Sequence, residues 1–294
     1  MPRTNKRGTR RGGRNRKSNP AIKALKYGAV LAMPLAALAG GSVLAMNDMA
    51  KEKPDEQHCY ERDDQYTTAM MVDFSTTPYV SKSQARDLNN IAQKAYDELP
   101  PNGKIAIFTT SNDTTSTIVT PDIEICKPAR NRAELENLGA PTSSPAKIKR
   151  THDEAAGEFR HKFQKLQEKA RDKKYLAANS PILEQLQGIS RASEWDRVYL
   201  YTDGVNNSAQ AQFCEVQGHL PPFKVFETTP VYRDVQPASL DGAHVEFLML
   251  QDGRKSPGGM KYCTWDELET FWIDYFTTNG ASVSLTPLGV GAGR

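Results

Sequence analysis

The chain has 294 residues, of which 38% are hydrophobic and 25% charged, so it can bury the core of one large domain or two small ones. Its net charge of +3 is unevenly distributed: residues 1–26 hold ten Lys and Arg and no Asp or Glu, which leaves about −7 for the rest. This composition excludes a wholly disordered chain, and the slightly basic isoelectric point reflects the tail rather than the folded body.

The amino-terminal tail is rich in Arg and Gly and has no aromatic residue that could stack on nucleic-acid bases. We interpret residues 1–26 as a disordered, lipid-facing cytoplasmic tail, and nucleic acid is not an expected partner. Residues 27–46 contain no charged side chain, and about 20 apolar residues suffice for a transmembrane helix. The basic flank predicts a single-pass protein of the inner or plasma membrane, with a cytoplasmic amino terminus and a periplasmic or otherwise extracytoplasmic carboxyl-terminal domain.

A cleaved signal peptide is the alternative, because Val43-Leu44-Ala45 has the small-x-small pattern of a cleavage site. The polar leader is long for a signal peptide and the apolar stretch exceeds the usual h-region, so we expect a retained anchor. Residues 47–65 are polar and predict a tether between the membrane and a domain over residues 66–286. Residues 287–294 are expected to form a flexible tail.

The first half of this domain alternates between strand and helix patterns. Apolar runs predict strands at Thr67–Phe74 and Lys104–Thr110, and apolar residues at helical spacing predict a helix at Lys82–Leu99. A strand, a helix and a strand in succession predict a parallel pair. Thr117–Ile125 is expected to be a short antiparallel strand at the sheet edge, and residues 127–149 a loop.

The second half continues the alternation. Residues 151–178 are rich in Lys, Glu and Gln and predict a long charged helix, with Thr151 and Glu154 as a capping box. The further elements expected are a helix from Ile182, strands at Arg197–Thr202 and Ala243–Leu250, a helix at Trp265–Thr278 and a strand at Ala281–Leu285. The chain therefore predicts an α/β fold, a three-layer Rossmann-like sandwich with a mostly parallel central sheet, preceded by one transmembrane helix.

The four cysteines are Cys59, Cys126, Cys214 and Cys263, and their spacing does not match a zinc site. An exported domain with four cysteines can form two disulfides in three alternative pairings. Proximity along the chain favours Cys59–Cys126 and Cys214–Cys263. Four reduced thiols are expected instead if the domain faces the cytoplasm.

Two predicted strands end in an aspartate followed by small residues, namely Asp73 after the first strand and Asp203 after Arg197–Thr202. Open α/β sheets bind ligands just beyond the carboxyl ends of their strands. Asp73, Ser75 and Thr77 form the pattern D-x-S-x-T, which places three oxygen-bearing side chains on one loop. These oxygens suit Mg²⁺ or another hard divalent cation.

These motifs resemble those of von Willebrand factor type A domains. The metal-ion-dependent adhesion site of that family uses D-x-S-x-S after the first strand, a Thr on a later loop, and an Asp in a Thr-Asp-Gly motif after the fourth strand. Asp73, Ser75 and Thr77 match the first motif with Thr in place of the last Ser, and Thr202-Asp203-Gly204 matches the last. Ser180 is the residue nearest to the position of the middle ligand. The resemblance implies a metal site of Asp73, Ser75, Thr77, Ser180 and Asp203.

The resemblance also implies a function. In that family a cation with an open coordination position accepts a carboxylate from a partner protein, so we expect Mg-dependent adhesion or capture of a protein partner. The alternative is a metal-independent scaffold subunit of a membrane-associated complex, such as secretion, conjugation, envelope or phage-defence machinery.

An enzyme is not expected. The sequence has no P-loop, HExxH or G-x-S-x-G motif. A phosphotransferase of the haloacid dehalogenase type needs a second Asp two residues after the first, and Ser75 stands there instead.

Overall fold

The computed structural model describes residues 53–75, 82–110, 119–170, 177–214, 220–251 and 263–289. The tail and the transmembrane helix expected at residues 1–46 lie outside the described residues, as does Thr77. Within the described ranges, no helix has the length and apolar character needed to cross a membrane.

Strands and helices alternate along the described chain. In order they are β1 (Thr67–Val72), α1 (Lys82–Glu98), β2 (Lys104–Thr109), β3 (Ile123–Cys126), α2 (Arg132–Asn137), α3 (Pro145–Ala170), α4 (Ile182–Ala192), β4 (Arg197–Thr202), α5 (Phe223–Phe226), α6 (Pro230–Val235), β5 (His244–Gln251), α7 (Trp265–Thr278) and β6 (Ser282–Gly289). The described strands form one six-stranded sheet in the order β3-β2-β1-β4-β5-β6. Every pair is parallel except β2 with β3, which confirms the α/β class and the antiparallel edge strand.

The sheet has an apolar core on each of its faces. Successive residues of a strand point to opposite sides, so Ala69 and Met71 of β1 join one core while Met70 and Val72 join the other. Helices α4 to α7 cover the first face, and α1 and α3 cover the second. Burial on both faces explains why β1 is a continuous apolar run. Each fully buried large apolar side chain in it stabilises the folded state by about 1.5–3 kcal/mol.

The expectation of a loop over residues 127–149 was wrong. Helix α2 occupies part of this stretch, with the Asn131 side chain accepting a hydrogen bond from the Glu134 N–H. Helix α3 starts at Pro145 rather than at Thr151, because Ser144 caps it and proline is well suited to the first helical position. The described helix runs to Ala170, residues 171–176 are outside the described ranges, and Ala177 and Ala178 are not helical.

The expected tether over residues 47–65 needs a similar correction for its described part. Residues 53–65 belong to the same compact unit as the sheet. Tyr60 is buried, and its backbone N–H and C=O are both hydrogen-bonded to the side chain of Asn102 at 2.8 and 3.0 Å. The chain is therefore fixed to the edge of the sheet where β1 and β2 begin.

Both expected disulfides form, Cys59–Cys126 and Cys214–Cys263. The first joins the amino-terminal segment to the end of β3, and the second joins the segment before α5 to the start of α7. Such bonds form and persist in oxidising compartments. The pair of disulfides thus indicates that this domain resides outside the cytoplasm.

Strand β6 extends to Gly289, beyond the expected end at Leu285. The Ser282 N–H donates to Ala243 O at 3.0 Å, so the backbone groups of alternate residues from Ser282 onward point toward β5. Pro287 is not one of these alternate residues, so its backbone nitrogen faces away from β5, toward the outer edge of the sheet. Its missing N–H therefore removes no bond between β5 and β6, which is why proline is tolerated here.

The side chain of the buried Lys127 caps the carboxyl end of helix α1. Lys127 is 3% exposed, and its Nζ donates to the carbonyl of Asp97 and to that of Leu99, the latter at 2.7 Å. Burial lowers the pKa of Lys127. The ammonium group satisfies carbonyls at the helix end that have no partner within the helix.

We predict that Lys127→Met lowers the free energy of unfolding by about 1–3 kcal/mol, because one buried and one partly buried carbonyl at the end of α1 lose their donor. Urea denaturation measures this change. Lys104→Met is the matched control, since the Lys104–Glu124 ion pair at 3.5 Å is partly exposed and should contribute less than about 1 kcal/mol. Equal losses in the two variants would contradict the role assigned to Lys127.

Candidate metal centre

The two aspartate-bearing strand ends are neighbours, as the sequence predicted. Strands β1 and β4 pair in parallel with Val72 opposite Tyr201. The Asp73 N–H continues this ladder by donating to Tyr201 O at 2.9 Å. Asp73 and the residue after Tyr201 therefore leave the sheet side by side at its carboxyl edge, where doubly wound sheets bind ligands.

Asp73 accepts three hydrogen bonds in a site that excludes solvent. It is 0% exposed, and its Oδ2 accepts from Ser180 Oγ at 2.5 Å and from Thr202 Oγ1 at 2.8 Å. Its Oδ1 accepts the Ser75 N–H at 2.9 Å. The structure thus brings Ser75 and Ser180 into hydrogen-bond contact with Asp73, and adds Thr202, which the predicted site did not include. The parallel register of β1 and β4 is the signal that could have found it.

Ser75 supplies a hydroxyl with no partner among the described residues. The residue is 3% exposed, and its Oγ makes no hydrogen bond to any described residue. Its backbone pairs with Ala177 in an isolated parallel bridge, which fixes the start of the loop. An unpaired buried hydroxyl costs free energy, so its lone pairs are available to a bound group beside Asp73.

Ser180 is held in place from the opposite side of the site. It exchanges two backbone hydrogen bonds with Asn207, of 2.9 and 2.8 Å. The buried side chain of Asn206 supports this arrangement by accepting the Leu183 N–H at 2.9 Å and by donating to Ala211 O at 2.6 Å. The start of α4 and the loop after β4 are therefore one hydrogen-bonded unit, which the sequence did not predict.

Asp203 follows Thr202 directly and lies at the same carboxyl edge. It is 7% exposed, and its Oδ1 accepts the Val205 N–H at 2.9 Å, which tightens the turn. Gly204 has a φ of +77°, and its carbonyl accepts the Trp272 Nε1–H at 2.9 Å. The backbone next to Asp203 is thus hydrogen-bonded to α7. The fifth predicted ligand, Thr77, lies outside the described residues.

The donor set suits a hard cation. Asp73 forms no ion pair with a Lys, Arg or His side chain in the described ranges, so protein cations do not balance its charge there. Ser180 and Thr202 keep lone pairs while they donate to Asp73, and Ser75 Oγ is unengaged. No group of three or more His, Cys, Asp or Glu side chains that could hold a metal occurs among the described residues. The protein ligands of any cation at this site would therefore be hydroxyl oxygens and two carboxylates.

Comparison with known proteins does not assign a family. A scan against models of protein families gives no match, and a search of curated proteins gives none either. The geometry around Asp73 and the fold that produces it are therefore the basis for a functional proposal.

A third carboxylate shielded from solvent is that of Glu184. Glu184, in the first turn of α4, has both oxygens shielded from solvent and without a hydrogen-bond partner of good geometry in the described chain. Burial raises the pKa of Glu184, and the nearby Ser208 hydroxyl offsets part of this effect. The buried Tyr275 hydroxyl also lacks a described partner, and the pKa of Tyr275 is raised by burial and, to a smaller extent, by Tyr232 and Glu184.

Gly204→Ala should lower the free energy of unfolding by about 2–4 kcal/mol, through a positive φ and through crowding. A Cβ at this position would lie 2.9 Å from Trp272 Nε1 and 3.1 Å from Phe247 Cζ. Gly139→Ala is the matched control, because Gly139 has a φ of +65° with no atom within 4 Å of the added Cβ. Denaturant unfolding should therefore show a smaller loss for Gly139→Ala, and a loss as large as that of Gly204→Ala would refute the crowding.

Glu184→Gln should stabilise the fold in a pH-dependent way. Because the folded-state pKa is raised, the folded protein retains a proton that the unfolded chain releases, and stability falls as pH rises from the unfolded pKa of about 4.3 through the folded value. Below that pH window, thermal unfolding should give the same free energy of unfolding for the variant and the wild type. Above it, the free energy of unfolding of the variant should exceed that of the wild type by about 1–3 kcal/mol, the typical cost of an unsatisfied buried group. A difference that does not vary with pH would contradict this.

Proposed function

We propose that the chain is a membrane-anchored, extracytoplasmic binding protein whose domain resembles von Willebrand factor type A domains. In this proposal the edge formed by Asp73 and Asp203 holds a divalent cation, with Mg²⁺ the best candidate. The observation that carries it is the fully buried Asp73 carboxylate, surrounded by hydroxyls rather than by cationic side chains, with Ser75 Oγ unpaired beside it.

The side chains proposed to coordinate the cation are those of Asp73, Ser75, Thr77, Ser180 and Asp203. Thr202 donates to Asp73 and so orients this carboxylate. A bound divalent cation would supply a positive charge with an open coordination position, which can take a carboxylate from a protein partner. The chain's own part is to bury Asp73 in a fixed orientation, which limits the reorganisation needed on binding.

Two further features support partner capture outside the cytoplasm. The disulfides indicate an oxidising compartment, in keeping with an exported domain. The described chain begins beside the amino edge of the sheet, where Tyr60 is bonded to Asn102, and Asp73 lies at the carboxyl edge. The segment proposed as the attachment to the anchor is therefore separated from the binding edge by the length of the strands.

A metal-independent scaffold is the second candidate, and one observation favours it. Asp73 already accepts three hydrogen bonds, and a buried carboxylate with such donors can be stable without a cation. The domain would then serve as a structural subunit of a membrane-associated complex. Co-purification of the same cross-linked partners with and without a chelator distinguishes the two, because the scaffold predicts no effect of chelation.

We predict that Ser75→Ala raises the stability of the metal-free protein by about 1–3 kcal/mol, since it removes a buried hydroxyl that has no hydrogen-bond partner among the described residues. Mg²⁺ at 100 times its Kd should stabilise the wild type by about 2.7 kcal/mol. Loss of one ligand should weaken this binding about tenfold, or about 1.4 kcal/mol. Thermal unfolding across a Mg²⁺ titration measures both effects.

Ser193→Ala is the control for that titration, because Ser193 bonds only its neighbour Glu194 among the described residues. It should bind Mg²⁺ like the wild type. Absence of any Mg²⁺-dependent stabilisation in the wild type would overturn the cation site and leave the scaffold.

A further inference from the structure

A second site lies at the opposite edge of the sheet. A cavity of about 340 Å³ opens between the amino-terminal segment, the link after β3, helix α2 and the first turns of α3. Its apolar wall includes Pro54, Tyr60, Ala129, Leu135 and Ile148. Four of these, all but Pro54, belong to a small hydrophobic cluster separate from the two cores of the sheet. Small-molecule sites are typically concave, mainly apolar and of this size.

The cavity is held open by constraints that do not depend on a ligand. The disulfide Cys59–Cys126 and the two bonds from Asn102 fix the segment that carries Tyr60. On the other side, His152 Nδ1 lies 3.0 Å from Pro128 O and ties α3 to the link after β3. A pocket formed in advance requires little ordering when a ligand enters.

The charge at the cavity is positive. Lys53 and Lys147 both line it, both are exposed, and neither forms an ion pair with a described residue. The third basic group, His58, is already engaged by Glu158, with 3.2 Å between His58 Nε2 and Glu158 Oε2. An apolar cavity with two unpaired ammonium groups and no carboxylate in its lining complements an anion that carries an apolar body.

We propose that this cavity binds an anionic amphiphile, with the apolar chain against the hydrophobic cluster and the acidic group near Lys53 and Lys147. A free fatty acid and the acyl and head groups of an anionic lipid share this chemistry. The site is independent of the cation site, since it lies where β1 and β2 begin rather than where β1 and β4 end.

Photo-cross-linking of the full-length chain in phosphatidylcholine nanodiscs, with a diazirine-bearing decanoate as probe, tests this proposal. Peptide mapping should place the label in residues 53–60 and 141–151. Decanoate should compete about tenfold better than decanol, which lacks the charge, as expected for about 1.4 kcal/mol of ionic interaction.

The variant combining Lys53→Gln and Lys147→Gln should reduce labelling about tenfold, in line with that estimate. Ser143→Trp, which places an indole in the lining, should abolish it. The variant that combines Lys165→Gln and Lys169→Gln is the control, because it removes two exposed lysines of α3 outside the cavity. Its labelling should equal that of the wild type.

Labelling that decanoate does not compete, or that persists in both cavity variants, would overturn the proposal. Replacing phosphatidylcholine with phosphatidylglycerol then identifies the source of the ligand. Loss of the label supports the proposal with an anionic lipid as occupant, and retention of the label supports it with a free fatty acid.

Discussion

The carboxylate of Asp73 is the group on which the carboxyl edge of this sheet depends. Removing an ionised carboxylate from water costs several kcal/mol unless charges or hydrogen bonds compensate, and Asp73 is fully buried. In the described chain, the compensation comes from Ser180, Thr202 and the Ser75 N–H, without a cationic side chain. The loops after β1 and β4 and the start of α4 must therefore converge on one carboxylate.

This convergence links distant parts of the chain. Ser180 is paired with Asn207, and Gly204 is fastened to Trp272 of α7, so a displacement of either loop would remove a donor from Asp73 or strain the core. At the other edge, the Cys59–Cys126 disulfide fixes the entering chain and shapes a cavity. The domain thus has two constrained edges with different chemistry. One is rich in carboxylate and hydroxyl oxygens, and the other is apolar with two lysines that form no ion pair with a described residue.

The sequence alone predicted the features that depend on local residue patterns. Apolar runs gave the strands of the parallel sheet, and chain proximity gave both disulfides. The start of α3 was missed because a Pro- and Ser-rich stretch was interpreted as loop, although Ser144-Pro145 is a typical helix start. Thr202 follows from the parallel register of β1 and β4, which the two apolar runs indicate but do not fix. Glu184 could not be assigned in advance, since its burial depends on distant elements.

Anomalous diffraction from crystals of the full-length protein soaked in Mn²⁺ would locate a bound cation without reference to stability or activity. A cation site at the carboxyl edge predicts one strong peak within about 2.5 Å of oxygens from Asp73, Ser75 and Asp203. Saturating Mn²⁺ with no peak at this edge, and with Ser180 and Thr202 still bonded to Asp73, would contradict it.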